Sequence, residues 1–176
     1  GHVVRLDRIV CPVLAVAAGD FDSDGLEDIV YTAASDLAHI LLQEGSEHPI
    51  SLPYTYDLQA SPGPISRLWS GDVTGDGKDD VIAADASCET LFLFDQEDFL
   101  DTVAYETVDL LEAPSYISVT DVTDDERPDL LVVFPSADLL FLYKQSGSSL
   151  PSSPSMTFVT GAGPVSACMG DATGEG

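Results

Sequence analysis

The chain has 176 residues, with 31 acidic side chains against 6 basic ones, a net charge of −25 and a hydrophobic fraction of 44%. That apolar content is ordinary for a folded core and argues against disorder. The charge argues against nucleic acid and anionic membrane surfaces, which both need clustered Lys and Arg, and no apolar run approaches the roughly 18 residues of a bilayer span.

Short apolar runs separated by turn residues predict strands along almost the whole chain. Val3 to Leu6 reads as an outer strand, followed by a turn at Asp7-Arg8. Val13 to Ala18, after Pro12, is made of small and branched residues and reads as the innermost strand of a unit. Ile29 to Ala34 and Ala38 to Gln43 follow, then a polar connection from Glu44 to Pro49 and an outer strand from Tyr54 to Leu58. The second unit repeats this plan with Ile65 to Ser70, Val81 to Ala84, Leu91 to Phe94 and Ala104 to Leu110. The third has Tyr116 to Thr120, Leu130 to Phe134, Leu139 to Tyr143 and Met156 to Val159, and Pro164 introduces a further strand from Val165 to Met169. Gln145 to Ser155, rich in Ser and Pro, reads as a loosely ordered hairpin connection. Helical periodicity is weak, and Asp95 to Leu100 and Val108 to Glu112 are the only stretches that could make a helical turn.

Between the first and second strands of each unit lies an acidic loop. Gly19-Asp-Phe-Asp-Ser-Asp-Gly-Leu-Glu-Asp28 puts Asp20, Asp22, Asp24 and Asp28 at positions 1, 3, 5 and 9, with Gly25 at position 6. Alternate positions of a tight loop can turn toward one centre, and the glycine lets the backbone reverse. Carboxylates converging in this way repel by on the order of 4 kcal/mol per close pair at an effective dielectric near 20 unless a cation sits among them. Hard oxygen ligands at this spacing suit Ca²⁺, with the carbonyl of Leu26 and a water completing the shell. An EF-hand fits less well, because Tyr31 stands at position 12 and both flanks read as strands.

The loop recurs at Asp72 to Asp80, with Thr74 at position 3, and at Asp121 to Asp129, where Thr123 takes position 3, Glu126 replaces the glycine and Pro128 stiffens the turn. A fourth copy begins at Asp171 and has Glu175 in place of the third aspartate. The first aspartates fall at 20, 72, 121 and 171, so the intervals are 52, 49 and 50 residues. A fixed period near 50 residues means stacked or radially arranged supersecondary units, and four antiparallel strands per unit is the blade of a β-propeller. The fold class read here is all-β: blades at about 12–60, 64–110 and 114–160 within one domain over 1–176, with 164–176 starting a fourth. Three blades leave strand edges open at both ends, so the chain reads as a piece of a longer propeller.

Other chemistry is sparse. His39 sits in an apolar strand and reads as a packed residue; Trp69 reads as core or rim packing rather than a sugar platform. Cys11, Cys88 and Cys168 fit one pair plus a free thiol, or partners elsewhere, and are read first as buried thiols. No zinc spacing, phosphate-cradling glycine loop or nucleophile elbow is found, so the chain is read as a non-enzyme.

Acidic loops of this kind after a small-residue strand, once per unit, resemble the FG-GAP or VCBS repeat, which builds the seven-bladed propeller of integrin α-subunit heads. The resemblance covers nearly the whole chain. It implies a Ca²⁺ site in each loop: Asp20, Asp22, Asp24, the Leu26 carbonyl and Asp28; Asp72, Thr74, Asp76, the Lys78 carbonyl and Asp80; Asp121, Thr123, Asp125, the Arg127 carbonyl and Asp129. It further implies an extracellular interaction or adhesion module with a protein or glycan ligand on one face. The alternative reading is a lectin, or the scaffold of a polysaccharide-degrading enzyme.

Overall fold

The computed structural model describes residues 12–33, 37–43, 54–57, 65–85, 89–95, 106–146 and 151–168. Every regular element among them is a strand, and the twelve strands form three four-stranded antiparallel sheets. The first sheet is β1 (Val13–Gly19), β2 (Asp28–Ala33), β3 (Leu37–Leu41) and β4 (Tyr54–Asp57), paired in chain order. The second is β5 (Ile65–Gly71), β6 (Asp80–Asp85), β7 (Thr90–Phe94) and β8 (Glu106–Asp109). The third is β9 (Tyr116–Thr120), β10 (Asp129–Phe134), β11 (Leu139–Tyr143) and β12 (Met156–Val159).

The strand sequences explain the layering. In the middle sheet, Val81, Ala83, Phe92 and Phe94 join one core, shared with Val30 and Ile40 of the first sheet. Their neighbours Ile82, Ala84, Leu91 and Leu93 join a second core with Leu130, Val132 and Phe134 of the third sheet. Successive side chains of a strand point to opposite faces, so a sheet buried on both sides needs unbroken apolar runs, and the middle sheet has them. Each fully buried Leu or Phe contributes about 1.5–3 kcal/mol. Trp69 packs against the second core, as read from the sequence.

The first strands of successive sheets lie side by side, β1 next to β5 and β5 next to β9. Small residues there permit the approach: Ala15 and Ala17 pack on the first core. Hydrogen bonds tie sheet to sheet. Thr32 Oγ1 donates to the Ile65 carbonyl at 2.8 Å, Arg67 Nη1 donates to the Ser115 carbonyl at 3.3 Å, and the Ser70 hydroxyl donates to the Ala18 carbonyl.

Several expectations are corrected. Val108 to Glu112 makes no helical turn: Val108 is buried between exposed Thr107 and Asp109, a period of two, and these residues belong to β8 and the turn after it. Residues 165–168 form no strand; an extended run needs a neighbour for its backbone groups, and none of the described strands pairs with it. Cys168, in that run, is exposed rather than buried. Gln145, expected in a loose connection, is 1% exposed. The second strand of each sheet starts one residue early, on the last aspartate of the loop. The strand at Val3 to Leu6, the connection from Glu44 to Pro49, the possible helical turn after Asp95, Cys11, Cys88 and the fourth loop lie outside the described residues.

His39 is half-buried on β3 and stacks on Tyr31 of β2, its cross-strand partner, with ring centroids 4.8 Å apart. Burial holds its pKa below the ordinary 6.5. The folded chain thus favours neutral imidazole, and the unfolded chain takes up a proton first as pH falls. This contribution to stability is complete above pH 6.5 and is lost as pH falls through the depressed folded value. Melting temperature should therefore drop from pH 7 to pH 5.5, and His39→Leu should flatten that slope; equal slopes in the two chains would contradict it.

Candidate metal centre

Each acidic loop joins the first strand of a sheet to the second, and all three share one hydrogen-bond scheme. The position-1 aspartate caps the loop. Asp20 accepts the Asp24 and Gly25 amides at 3.1 and 2.9 Å. Asp72 accepts those of Asp76 and Gly77 at 3.0 and 2.9 Å, and Asp121 those of Asp125 and Glu126 at 3.3 and 2.8 Å. The position-5 aspartates Asp24, Asp76 and Asp125 each accept the amide two residues on, from Leu26, Lys78 and Arg127. These bonds hold the carboxylates inside the loop without using all their lone pairs.

Position 6 is left-handed in all three loops, with φ of 83° at Gly25, 91° at Gly77 and 62° at Glu126. The third loop thus keeps the turn without glycine, at a steric cost of roughly 1–2 kcal/mol. Position 4 is left-handed as well, at Ser23, Gly75 and Asp124. Of these three, only Gly75 announces that in the sequence.

The position-9 aspartates are buried, at 1% exposure for Asp28 and 0% for Asp80 and Asp129. Asp28 accepts the Phe21 amide at 2.9 Å on one oxygen and the Gln43 amide at 2.7 Å on the other. Asp129 does the same with Val122 at 3.1 Å and Gln145 at 3.1 Å. Asp80 accepts the Val73 and Thr74 amides, both at 3.0 Å. Each therefore latches its loop to the sheet, a structural duty that sequence spacing did not reveal.

In the first loop, one oxygen from each of Asp20, Asp22 and Asp28 lies within 4.8 Å of the other two. Oxygens around one Ca²⁺ sit at 2.3–2.6 Å from it, so opposite ligands are about 4.8 Å apart; the residues fit a divalent ion. Asp24 stands outside that group, and neither the second nor the third loop forms such a group of three among the described residues. Both carry threonine at position 3, which removes one carboxylate. Thr74 is nevertheless buried, and its hydroxyl oxygen has no hydrogen-bond partner among the described residues. A buried oxygen of that kind is a ready ligand for an ion or a water.

Electrostatics separate the loops. Burial pushes the Asp28 carboxyl above its ordinary range, and burial followed by the charge of Asp24 does the same to Asp22. A divalent ion reverses both effects. In the third loop, a hydrogen bond from Lys144 holds the Asp125 carboxyl below the usual carboxylate range.

The loops are also joined to one another. The Asp20 amide donates to Asp79 of the second loop at 3.1 Å, and Gln145 Nε2 donates to the Val73 carbonyl at 2.7 Å. Gln145, whose own amide is held by Asp129 at the end of the third loop, thereby connects the third sheet to the second loop. No protein-family model matches this chain and no curated protein matches it significantly.

Proposed function

We propose that the chain is a set of calcium-binding β-propeller blades, similar to the FG-GAP/VCBS repeat, that serves as a non-catalytic extracellular interaction module. The carrying observation is the convergence of Asp20, Asp22 and Asp28 in a loop whose hydrogen-bond scheme recurs once per sheet. The side-by-side first strands support a radial arrangement of the sheets. A metal ion in the first loop neutralises carboxylates that otherwise repel and draws the loop tight against its neighbour through Asp79. The linked loops then present an ordered, acidic edge on which a protein or glycan ligand docks. Affinity typical of extracellular calcium modules, roughly 10⁻⁴ to 10⁻³ M, leaves such a site empty in the cytosol and filled outside the cell.

Thermal melts test this. Binding at those affinities in about 10 mM calcium adds roughly 1.4–2.7 kcal/mol, so the melting temperature should rise by about 3–10 °C over that in chelator. Asp22→Ala should remove most of the increment. Superimposable melts in calcium and chelator would overturn the reading.

A further inference from the structure

We propose that the third loop carries its own cation: the Lys144 ammonium fills the place that a divalent ion takes in the first loop, so this loop is set without metal. Lys144 Nζ lies 3.0 Å from Asp125 Oδ2 and donates to Thr123 Oγ1 at 3.1 Å. Those are the residues at positions 5 and 3 of the loop; position 3 belongs to the group that gathers in the first loop, and position 5 is the acidic side chain next to that group. An ammonium group brings three donors and one positive charge to oxygens that only accept or, for threonine, do both.

The pairing register shows why a lysine arrives there. Ile29 pairs with Leu41, Val81 with Phe94 and Leu130 with Tyr143. The next residue along the third strand, opposite the position-9 aspartate, is therefore Leu42, Asp95 and Lys144 in the three sheets. The equivalence holds in the hydrogen bonds too, since the residue after it, Gln43 or Gln145, gives its amide to that aspartate. One register position thus carries a neutral, a negative and a positive side chain over three similar loops. The neutral one, Leu42, packs on the first core, and its sheet carries the loop that gathers three carboxylates. Lys78 of the second loop is a different case: it belongs to the loop itself and its Nζ is 3.8 Å from Asp76 Oδ2, beyond hydrogen-bond length.

The metal count in this proposal rests on the calcium reading of the first loop; the ordering role of Lys144 does not. Lys144→Leu, which copies the first sheet, tests both by calcium titration calorimetry and by amide hydrogen exchange in chelator. The variant is expected to bind one more calcium ion than the parent. In chelator, the Glu126 amide, bonded to Asp121 in the parent, should exchange about fivefold faster in the variant, the order set by a part-exposed ion pair. Calcium should restore its protection. If neither chain binds calcium and Glu126 still accelerates, the ammonium's role stands and the calcium reading falls. Unchanged exchange at Glu126, or equal counts of at least one bound ion, overturns the proposal.

Discussion

Asp129→Ala is expected to lower the stability of the folded chain by about 2–5 kcal/mol, because two backbone amides, one buried and one part-buried, lose their acceptor at roughly 1–3 kcal/mol each. The amides are those of Val122 and Gln145, and Asp129 itself is fully buried. The melting temperature should fall by on the order of 10 °C. Asp129→Asn keeps the shape but turns one acceptor into a donor facing an amide, so it should destabilise as well, and charge alone does not explain the loss. With Lys144 as the resident cation of this loop, the loss should be the same in calcium and in chelator. Asp28→Ala removes the equivalent latch, on the Phe21 and Gln43 amides, and also a metal ligand. Its loss should therefore be larger in calcium, where the parent gains stability that the variant cannot. Denaturant melts of the two variants in both buffers check this; losses under about 1 kcal/mol for Asp129→Ala would show that water replaces the carboxylate.

Those two aspartates also mark how far the sequence could be read. The frame of positions 1, 3, 5 and 9 is visible because Asp20, Asp72 and Asp121 recur with the period of the sheets. The same letters serve two purposes, however. Asp28, Asp80 and Asp129 read as ligands, while in the structure each is the first residue of a strand and accepts two backbone amides. The amide of Gln43 or Gln145 lies 15 or 16 residues away from its acceptor, and only the strand register brings it there. Lys144 was hidden in the same manner: it matters because of what Leu130 pairs with, not because of its neighbours in the chain.

The strands were legible for a local reason. Val81 to Ala84 and Leu91 to Phe94 are apolar without interruption, and Asp80, Asp85, Thr90 and Asp95 bound them. Such runs suit a sheet covered on both faces, and the middle sheet is the covered one. Val165 to Met169 is also largely apolar, broken only by Ser166, yet its described residues make no strand. Composition states that a segment can pair, not that a partner stands beside it. Cys168 is exposed on that account.

Gly71→Ala is the other substitution expected to act strongly, and it probes the contact between sheets rather than a loop. Gly71 has φ of 153°, and a Cβ there would lie 2.7 Å from the Val119 Cβ and 2.9 Å from its Cγ1. Val119 is on β9, so the clash falls where the first strands of the second and third sheets meet. Backbone strain of roughly 1–2 kcal/mol and overpacking of about 1–3 kcal/mol together give a loss of about 2–5 kcal/mol. Gly77→Ala, with φ of 91° but nothing within 4 Å of the added carbon, should show the strain alone. A second change separates the two causes. Val119→Ala removes the methyl groups but leaves the Cβ, so it should restore little in the Gly71→Ala background. Val119→Gly should restore more, although by itself it weakens the second core. The double-mutant cycle then has a favourable coupling between Gly71→Ala and Val119→Gly, which contact alone produces. Additive losses in that cycle would place the cost in the Gly71 backbone and not in the packing of sheet against sheet.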